Sequence, residues 1–250
     1  MTKLKIALQK SGRLSDKSLE LIRECGISLT NGTRKLRSVS SNFPLEVMYL
    51  RDDDIPRYVA DGVADIGIVG ENVVLEEKAD VEVLEKLGFA RCRLSLAVPR
   101  STEYDGPGFF QGRKVATSYP TILGDYFERQ GIQAEIHEIS GSVEIAPGIG
   151  LSDGVFDIVS SGSTLISNGL REVEQVMDSQ AVMISRSGLT EEKQALCSAL
   201  LFRMRAVKKS NHNKYILLNA PNDRLDEITS LIPGMKSPTV MPLAEEGWSS

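Results

Sequence analysis

A chain of 250 residues is long enough for two small domains with sizeable cores, and its 41% hydrophobic and 25% charged content is ordinary for a soluble globular protein. A formal charge of −5 and a pI near 5.3 argue against a nucleic-acid binder. No apolar run reaches the length of a membrane span or resembles a signal peptide, so a cytoplasmic protein is expected, with no membrane partner.

Lys3 to Leu8 reads as a first strand, ending in the polar, glycine-containing turn Gln9-Lys-Ser-Gly-Arg13. Ser15 is placed to cap the following helix, Leu14 and Leu19 to form a hydrophobic staple, and Gly26 to close it. Lys10 and Arg13 then stand at the carboxyl end of a strand, where ligands bind in open α/β sheets; solvated surface cations are the alternative. Leu45 to Leu50 is a second strand, followed by Arg51-Asp-Asp-Asp-Ile-Pro56, with Pro56 at a first helical position, the aspartates as caps, and Gly62 as terminator. Asp65-Ile-Gly-Ile-Val-Gly-Glu-Asn72 repeats strand, glycine and helix start. Such repetition argues for a mostly parallel sheet with helices on both faces.

Cys92, Leu94, Leu96 and Val98 alternate with other residues in a long strand between Phe89 and Val98. Pro99 and the loop Tyr104-Asp-Gly-Pro-Gly108 then mark a crossing into a second lobe. There Lys114 to Thr117 is a strand, Pro120 starts a helix closed by Gly131, Gln133 to Ile139 is a strand, and Ser140-Gly-Ser-Val-Glu144 opens a short helical segment. Phe156 to Val159 is a buried, β-leaning run that feeds a series of small and hydroxylic residues. The first N–H groups of a helix lack backbone partners and its dipole is positive there, so an anion fits this junction. Ser160, Ser161, Ser163 and Thr164 add hydroxyl donors, and Gly162 lets the backbone approach a bulky group. Asp153 and Asp157, just upstream, suit sugar hydroxyls or a hydrated Mg²⁺, so the whole stretch suits a ribose 5-phosphate. A capped helix flanked by turn aspartates is the alternative.

Val173 to Ser185 holds one or two strands that carry the chain back. Thr190 starts a helix with Leu196, Leu200, Met204 and Val207 on one face. Lys214 to Leu218 resumes as a strand, Asn222 or Asp223 caps a helix to Ile232 that Pro233-Gly234 breaks, and Thr239 to Leu243 is a last strand. The division expected is lobe I at 1–98 with 184–210 returning to it, lobe II at 99–183, and a third unit at 211–250 that the sequence leaves incomplete. Cys25, Cys92 and Cys197 lie far apart in apolar surroundings and read as buried thiols rather than disulfides or metal ligands, and His137 and His212 are too few for a histidine-based metal site.

Seven segments, in order, carry a family resemblance: Gln9-Lys-Ser-Gly-Arg-Leu14, Arg51-Asp-Asp-Asp-Ile-Pro56, Asp65-Ile-Gly-Ile-Val-Gly-Glu-Asn72, Cys92-Arg-Leu-Ser-Leu-Ala97, Ala116-Thr-Ser-Tyr-Pro120, Gly141-Ser-Val-Glu-Ile-Ala-Pro147 and Asp157-Ile-Val-Ser-Ser-Gly-Ser-Thr-Leu165. Together they resemble the long form of ATP phosphoribosyltransferase. The resemblance implies a bilobal α/β catalytic region like the type II periplasmic binding proteins, followed by the start of a ferredoxin-like (βαβ) C-terminal regulatory domain. It implies transfer of a phosphoribosyl group from phosphoribosyl pyrophosphate to N1 of ATP with Mg²⁺, histidine as feedback inhibitor in the full-length family, and a homo-oligomer, dimer or hexamer.

On the family's pattern, Ser160, Ser161, Gly162, Ser163, Thr164 and Leu165 hold the 5-phosphate, while Asp157, with Asp153, faces the ribose hydroxyls and the metal. Lys10, Arg13 and Arg51 stabilise the leaving pyrophosphate and bind ATP phosphates, and Arg34 reaches in from its own or a neighbouring subunit. Glu144 steadies the adenine amino group or the ribosyl cation. Because 214–250 matches only the start of the regulatory domain, loss of histidine inhibition with some turnover retained is expected. The rival readings are a bilobal small-anion binding protein, against which the missing export signal speaks, and a non-catalytic regulatory subunit.

Overall fold

β1 (Leu4–Gln9) runs through the interior of a six-stranded sheet in the computed structural model, which describes residues 2–30, 36–211, 215–232 and 238–250. The helix α1 (Arg13–Glu24) begins two residues before the expected cap. Gly12, at φ 98°, occupies the N-cap position and turns the chain directly into the helix, and no side chain caps it. Ser15 is instead buried at 2% exposure within the first turn, where a small side chain lets the helix lie close to the sheet. Gly26 closes the helix as expected, its N–H bonded to the Arg23 carbonyl at φ 73°.

β2 (Arg37–Val39) is a short antiparallel edge to β3 (Leu45–Leu50), which pairs in parallel with β1. α2 (Ile55–Ala60) follows, with Pro56 at its second rather than first position. The capping expected of Asp52 to Asp54 is not made, since no side chain bonds the helix start and the Ile55 N–H uses the Asp52 carbonyl instead. β4 (Ile66–Gly70) is buried along its whole length, pairs in parallel with β1 and leads into α3 (Glu71–Glu77), and β5 (Glu82–Lys86) completes this part of the chain.

The chain then crosses to a second sheet through 87–91, where Gly88 and Ala90 take positive φ. β6 (Cys92–Pro99), which the expected boundary at residue 98 assigns to lobe I, pairs in the second sheet. The crossing thus precedes the alternating strand, because the left-handed residues that turn the chain lie before it. β7 (Lys114–Thr117), α4 (Pro120–Gln130), β8 (Glu135–Glu138), β9 (Gly154–Val159), α5 (Ser163–Ser167) and β10 (Leu170–Ser179) complete this lobe, with strand order β10-β6-β9-β7-β8. β7 is parallel to both neighbours, whereas β6 is antiparallel to both of its own.

Gln180 alone separates β10 from β11 (Ala181–Ser185), which returns to the first sheet antiparallel to β4 and β5, three residues ahead of the expected return at 184. The two crossings lie side by side: Leu87 N–H bonds the Ala181 carbonyl at 2.9 Å and Ala181 N–H bonds the Phe89 carbonyl at 3.0 Å. The first sheet is therefore mixed, in the order β2-β3-β1-β4-β11-β5, rather than mostly parallel. α6 (Glu191–Asn211) starts behind Thr190, and its Cys197, Leu200 and Met204 join Leu4, Ile6, Leu8 and Ile22 in one core. Ala7, Ile55, Val59 and Val69 form another with Val182 and Ile184. The second sheet likewise has cores around Phe110, Phe127 and Phe156, and around Val143, Val155 and Leu165. Fully burying one such aliphatic or aromatic side chain contributes about 1.5–3 kcal/mol. Cys25 and Cys197 are buried free thiols, each pushed up to about 11 by desolvation, and Cys92 is half-buried and free.

The C-terminal residues 208–250 form a separate unit with β12 (Ala220–Pro221), α7 (Leu225–Leu231) and β13 (Trp248–Ser249). Residues 215–218, expected as a strand, have no regular structure, and Tyr215 is 90% exposed. Within 239–243 only a bridge between Pro242 and Ser249 forms. An apolar run becomes a strand only where a neighbour supplies the ladder, and the described residues of this unit supply one two-residue pairing. Lys214, His212 and the Pro233-Gly234 break lie outside the described residues. Among the described residues, no helix is long and apolar enough to cross a membrane.

Candidate active site

Lys10 follows β1, and its N–H bonds the Leu50 carbonyl at 2.8 Å, which sets it beside Arg51 at the end of β3. Arg13 opens α1, and all three cations are exposed. Arg51 lies 3.2 Å from Asp53, with both side chains more than half exposed. Such a pair is weak and readily exchanged for a phosphate. The carboxyl ends of adjacent parallel strands therefore gather a basic edge in the first sheet.

In the second sheet β9 ends at Val159, and Gly162, at φ 79°, turns the chain into α5. Only a residue free of a Cβ clash takes that left-handed conformation without strain. The Ile166 N–H bonds the Gly162 carbonyl at 3.1 Å, so the N–H groups ahead of it precede the helical ladder. The Ser161 and Ser163 hydroxyls lie 3.0 Å apart, and Ser160, Ser161, Ser163 and Thr164 are exposed. Leu165 differs: its side chain is 6% exposed and packs with Val143, Val155 and Val159, so it anchors the loop and offers a ligand only its backbone.

Asp157 lies near the end of β9, with its carboxyl raised above the usual range by burial and then by Glu144, against the opposing bond from the Ile158 N–H at 2.7 Å. Glu144 sits in a half-buried 3₁₀ turn, Val143–Ile145, so these two expected site residues are brought together. Tyr119 joins them. Its phenol is raised by burial first, then by Asp157, Asp52 and Cys92, while a hydrogen bond with Asn72 works the other way. One side chain thus touches or senses Asn72 and Asp52 from the first sheet's connections and Asp157 from the second. Tyr119 and Asp52 carry no assigned role on the sequence reading; the signal for Tyr119 is an aromatic residue between the end of β7 and the helix-starting Pro120.

Asp153 is not part of this grouping. The Lys114 N–H donates to Asp153 Oδ2 at 2.9 Å, and the Asp153 N–H donates to the Lys114 carbonyl at 2.8 Å, which ties the starts of β7 and β9 together. β9 extends two residues ahead of the apolar run Phe156 to Val159, so Asp153 falls at the N-terminal end of β9, opposite the loop. At about 3.3 Å per residue, the seven steps along β9 from Asp153 to Ser160 separate them by about 23 Å. Arg34 lies outside the described residues. Among the described residues, no three His, Cys, Asp or Glu side chains converge as a metal cage.

The family model of ATP phosphoribosyltransferase matches residues 51–206, and that of the HisG C-terminal domain matches residues 210–250. ATP phosphoribosyltransferases of Phocaeicola vulgatus and Cytophaga hutchinsonii are each 58% identical to this chain, over 99% and 100% of it and 87% of their own length. Among solved structures, the ATP phosphoribosyl transferase (HisG:HisZ) complex from Thermotoga maritima superposes with a TM-score of 0.72 at 26% identity, over 83% of this chain and 99% of that one. A histidine kinase sensor domain with similarity to periplasmic binding proteins superposes at 0.54 with 12% identity, over 83% of this chain and 95% of that one, and shares the fold alone. With a family model over more than half of its length and relatives 58% identical along nearly all of it, the chain belongs to the ATP phosphoribosyltransferase family, the pentosyltransferases of the first step of histidine biosynthesis.

Proposed function

We propose that the family's reaction, transfer of a phosphoribosyl group from phosphoribosyl pyrophosphate to N1 of ATP with release of pyrophosphate, is divided in this chain between the two sheet ends. The loop Ser160 to Leu165 binds the donor's 5-phosphate through hydroxyls and backbone N–H groups, and Asp157 accepts hydrogen bonds from the ribose hydroxyls. Lys10, Arg13 and Arg51 take the pyrophosphate and the phosphates of ATP. The observation that carries this reading is the contact between the two lobes beside Tyr119: the Glu76 carboxylate of α3 accepts the Thr121 and Ile122 N–H groups at 2.8 and 3.0 Å, and the Tyr119 phenol feels both Asp52 and Asp157.

The adenine N1 already holds a lone pair, so attack on C1 needs no strong base, and positioning with charge stabilisation supplies most of the rate. As the C1–O bond to pyrophosphate breaks, negative charge grows on the leaving oxygens near the basic edge. The ribose becomes cationic beside Asp157 and Glu144, which suits Glu144 to the ribosyl cation or the adenine amino group. Asp157, with Glu144 nearby, would be the protein's contribution to a Mg²⁺ ion bound mainly through substrate phosphates and water, which would neutralise charge on the diphosphate. Arg34 is assigned to ATP, from its own or a neighbouring subunit.

Within the same reading the protein is cytoplasmic and a homo-oligomer, residues 210–250 match the family's C-terminal domain, and histidine inhibition is lost while some turnover is kept. The test uses ATP, phosphoribosyl pyrophosphate and Mg²⁺ and follows the absorbing nucleotide product. Thr164→Val combined with Gly162→Ala should raise KM for the ribosyl donor at least tenfold, about the effect of losing one or two charge-assisted hydrogen bonds, with little change for ATP. Equal losses for both substrates overturn the division.

A further inference from the structure

Arg93 and Glu172 form a fork at the base of the phosphate loop. Arg93 lies on β6 opposite Val159, the last residue of β9, and Glu172 lies on β10. The guanidinium Nε and Nη2 both donate to the Glu172 carboxylate, and Nη1 donates to the Ser160 carbonyl at 3.3 Å. Glu172 Oε1 also accepts from the hydroxyl of Ser95 at 2.7 Å, and Ser95 is 1% exposed and stands opposite Asp157 across β6 and β9. Arg93 and Glu172 are themselves about 30% exposed. The pair stabilises both charges: the Glu172 carboxyl is held below its usual range, first by the Arg93 bond. Bidentate geometry of this kind fixes direction as well as distance.

Nothing in the reaction requires an ion pair there. The consequence lies in the peptide that the fork holds. In a trans peptide the carbonyl and the following N–H point to opposite sides of one plane. With the Ser160 carbonyl drawn back onto Arg93, the Ser161 N–H points the opposite way, away from Arg93. The loop's other groups are exposed and mutually bonded, so they do not set this orientation by themselves.

We propose that the Arg93–Glu172 fork, braced by Ser95, is a positioning device that presents the Ser161 N–H to the donor's phosphate without touching the donor. This rests on the reading of Ser160 to Leu165 as the phosphate loop, and it adds residues from β6 and β10 to donor recognition. Arg93 acts through its planar fork, since a compact ammonium cannot give the two parallel bonds to Glu172 together with the bond to Ser160.

Steady-state kinetics on the full chain test it, with ATP and phosphoribosyl pyrophosphate varied in turn. Arg93→Gln should raise KM for the donor about tenfold and leave KM for ATP within about twofold, the signature of one lost ligand hydrogen bond rather than a general loss of structure. Glu172→Gln and Ser95→Ala should give smaller rises in the same direction. Arg93→Lys should not restore donor KM. If Arg93→Gln does not fold, Glu172→Gln, which keeps the shape, decides the matter. Full rescue by lysine, an unchanged donor KM, or equal rises for both substrates overturns the proposal. The Thr164→Val, Gly162→Ala chain separates the two failures. If it loses donor affinity selectively while Arg93→Gln does not, only the fork's role falls; if it shows no selectivity, the loop reading falls and takes the fork with it.

Discussion

Asp157 sits where its charge is disfavoured, by burial and by Glu144, and its carboxyl is raised above the usual value. A raised folded-state value means that the native chain holds this proton more tightly than the unfolded chain does. The associated stability is present below the ordinary carboxylate range and is lost as pH rises through the raised value. Asp157→Asn should therefore raise Tm at pH 7, with the gain shrinking toward pH 4, while donor affinity falls at least tenfold through loss of a charged acceptor. A variant with lower Tm and unimpaired donor binding would contradict both halves. Asp153→Ala gives the contrast. It removes the acceptor for the Lys114 N–H and should cost about 1 kcal/mol, a Tm drop of about 2–4 °C, with donor KM unchanged. A large donor effect would return Asp153 to the site. The sequence alone offers no means of ranking these two aspartates, because both precede the same loop and their separation depends on where β9 begins.

At the scale of elements, β3, β7 and α4 have the bounds that their residues announce, since apolar runs closed by glycine, proline or charge carry their own limits. β2 and β5 are absent from the sequence reading: one has three residues and the other is largely exposed, so neither carries a hydrophobic period. Each forms because a neighbour offers an open ladder, β3 to the first and β11 to the second. The close seat of α2 on β4 depends on Gly67. A Cβ there would stand 2.7 Å from Ile55 Cγ2 and 3.2 Å from Val59 Cγ2. Gly67→Ala should then destabilise by about 1–3 kcal/mol through overpacking. Denaturant unfolding measures this, and a neutral result would mean that α2 lifts away at no cost. Because α2 follows the loop that bears Arg51 and Asp52, the same variant should also weaken ATP turnover.

At the scale of the molecule, helices from the two sheets meet. The Glu76 carboxylate of α3 accepts the Thr121 and Ile122 N–H groups at 2.8 and 3.0 Å, which caps α4 from the other lobe. Lys78 and Asp125 lie 3.1 Å apart beside it, more than half exposed and so worth little. Glu76→Ala should cost about 1 kcal/mol, as loss of an N-cap does, and lower Tm by about 2–4 °C, with Glu76→Gln in between. An unchanged Tm would show that the contact does not tie the lobes. The sequence by itself determined the alternation of strands and helices, the hydroxyl loop with its glycine, and the cations that end β1 and β3. These are local matters of propensity, dipole and backbone freedom, and each is written in consecutive residues. Only the tertiary structure decided which sheet takes β6 and β11, that Asp153 stands at the end of β9 away from the loop, and that Tyr119 bonds Asn72 and feels the charges of Asp52 and Asp157. Those depend on strand pairing and on contacts between residues far apart in the chain, whose energies are set by which surfaces meet after folding rather than by the identity of near neighbours.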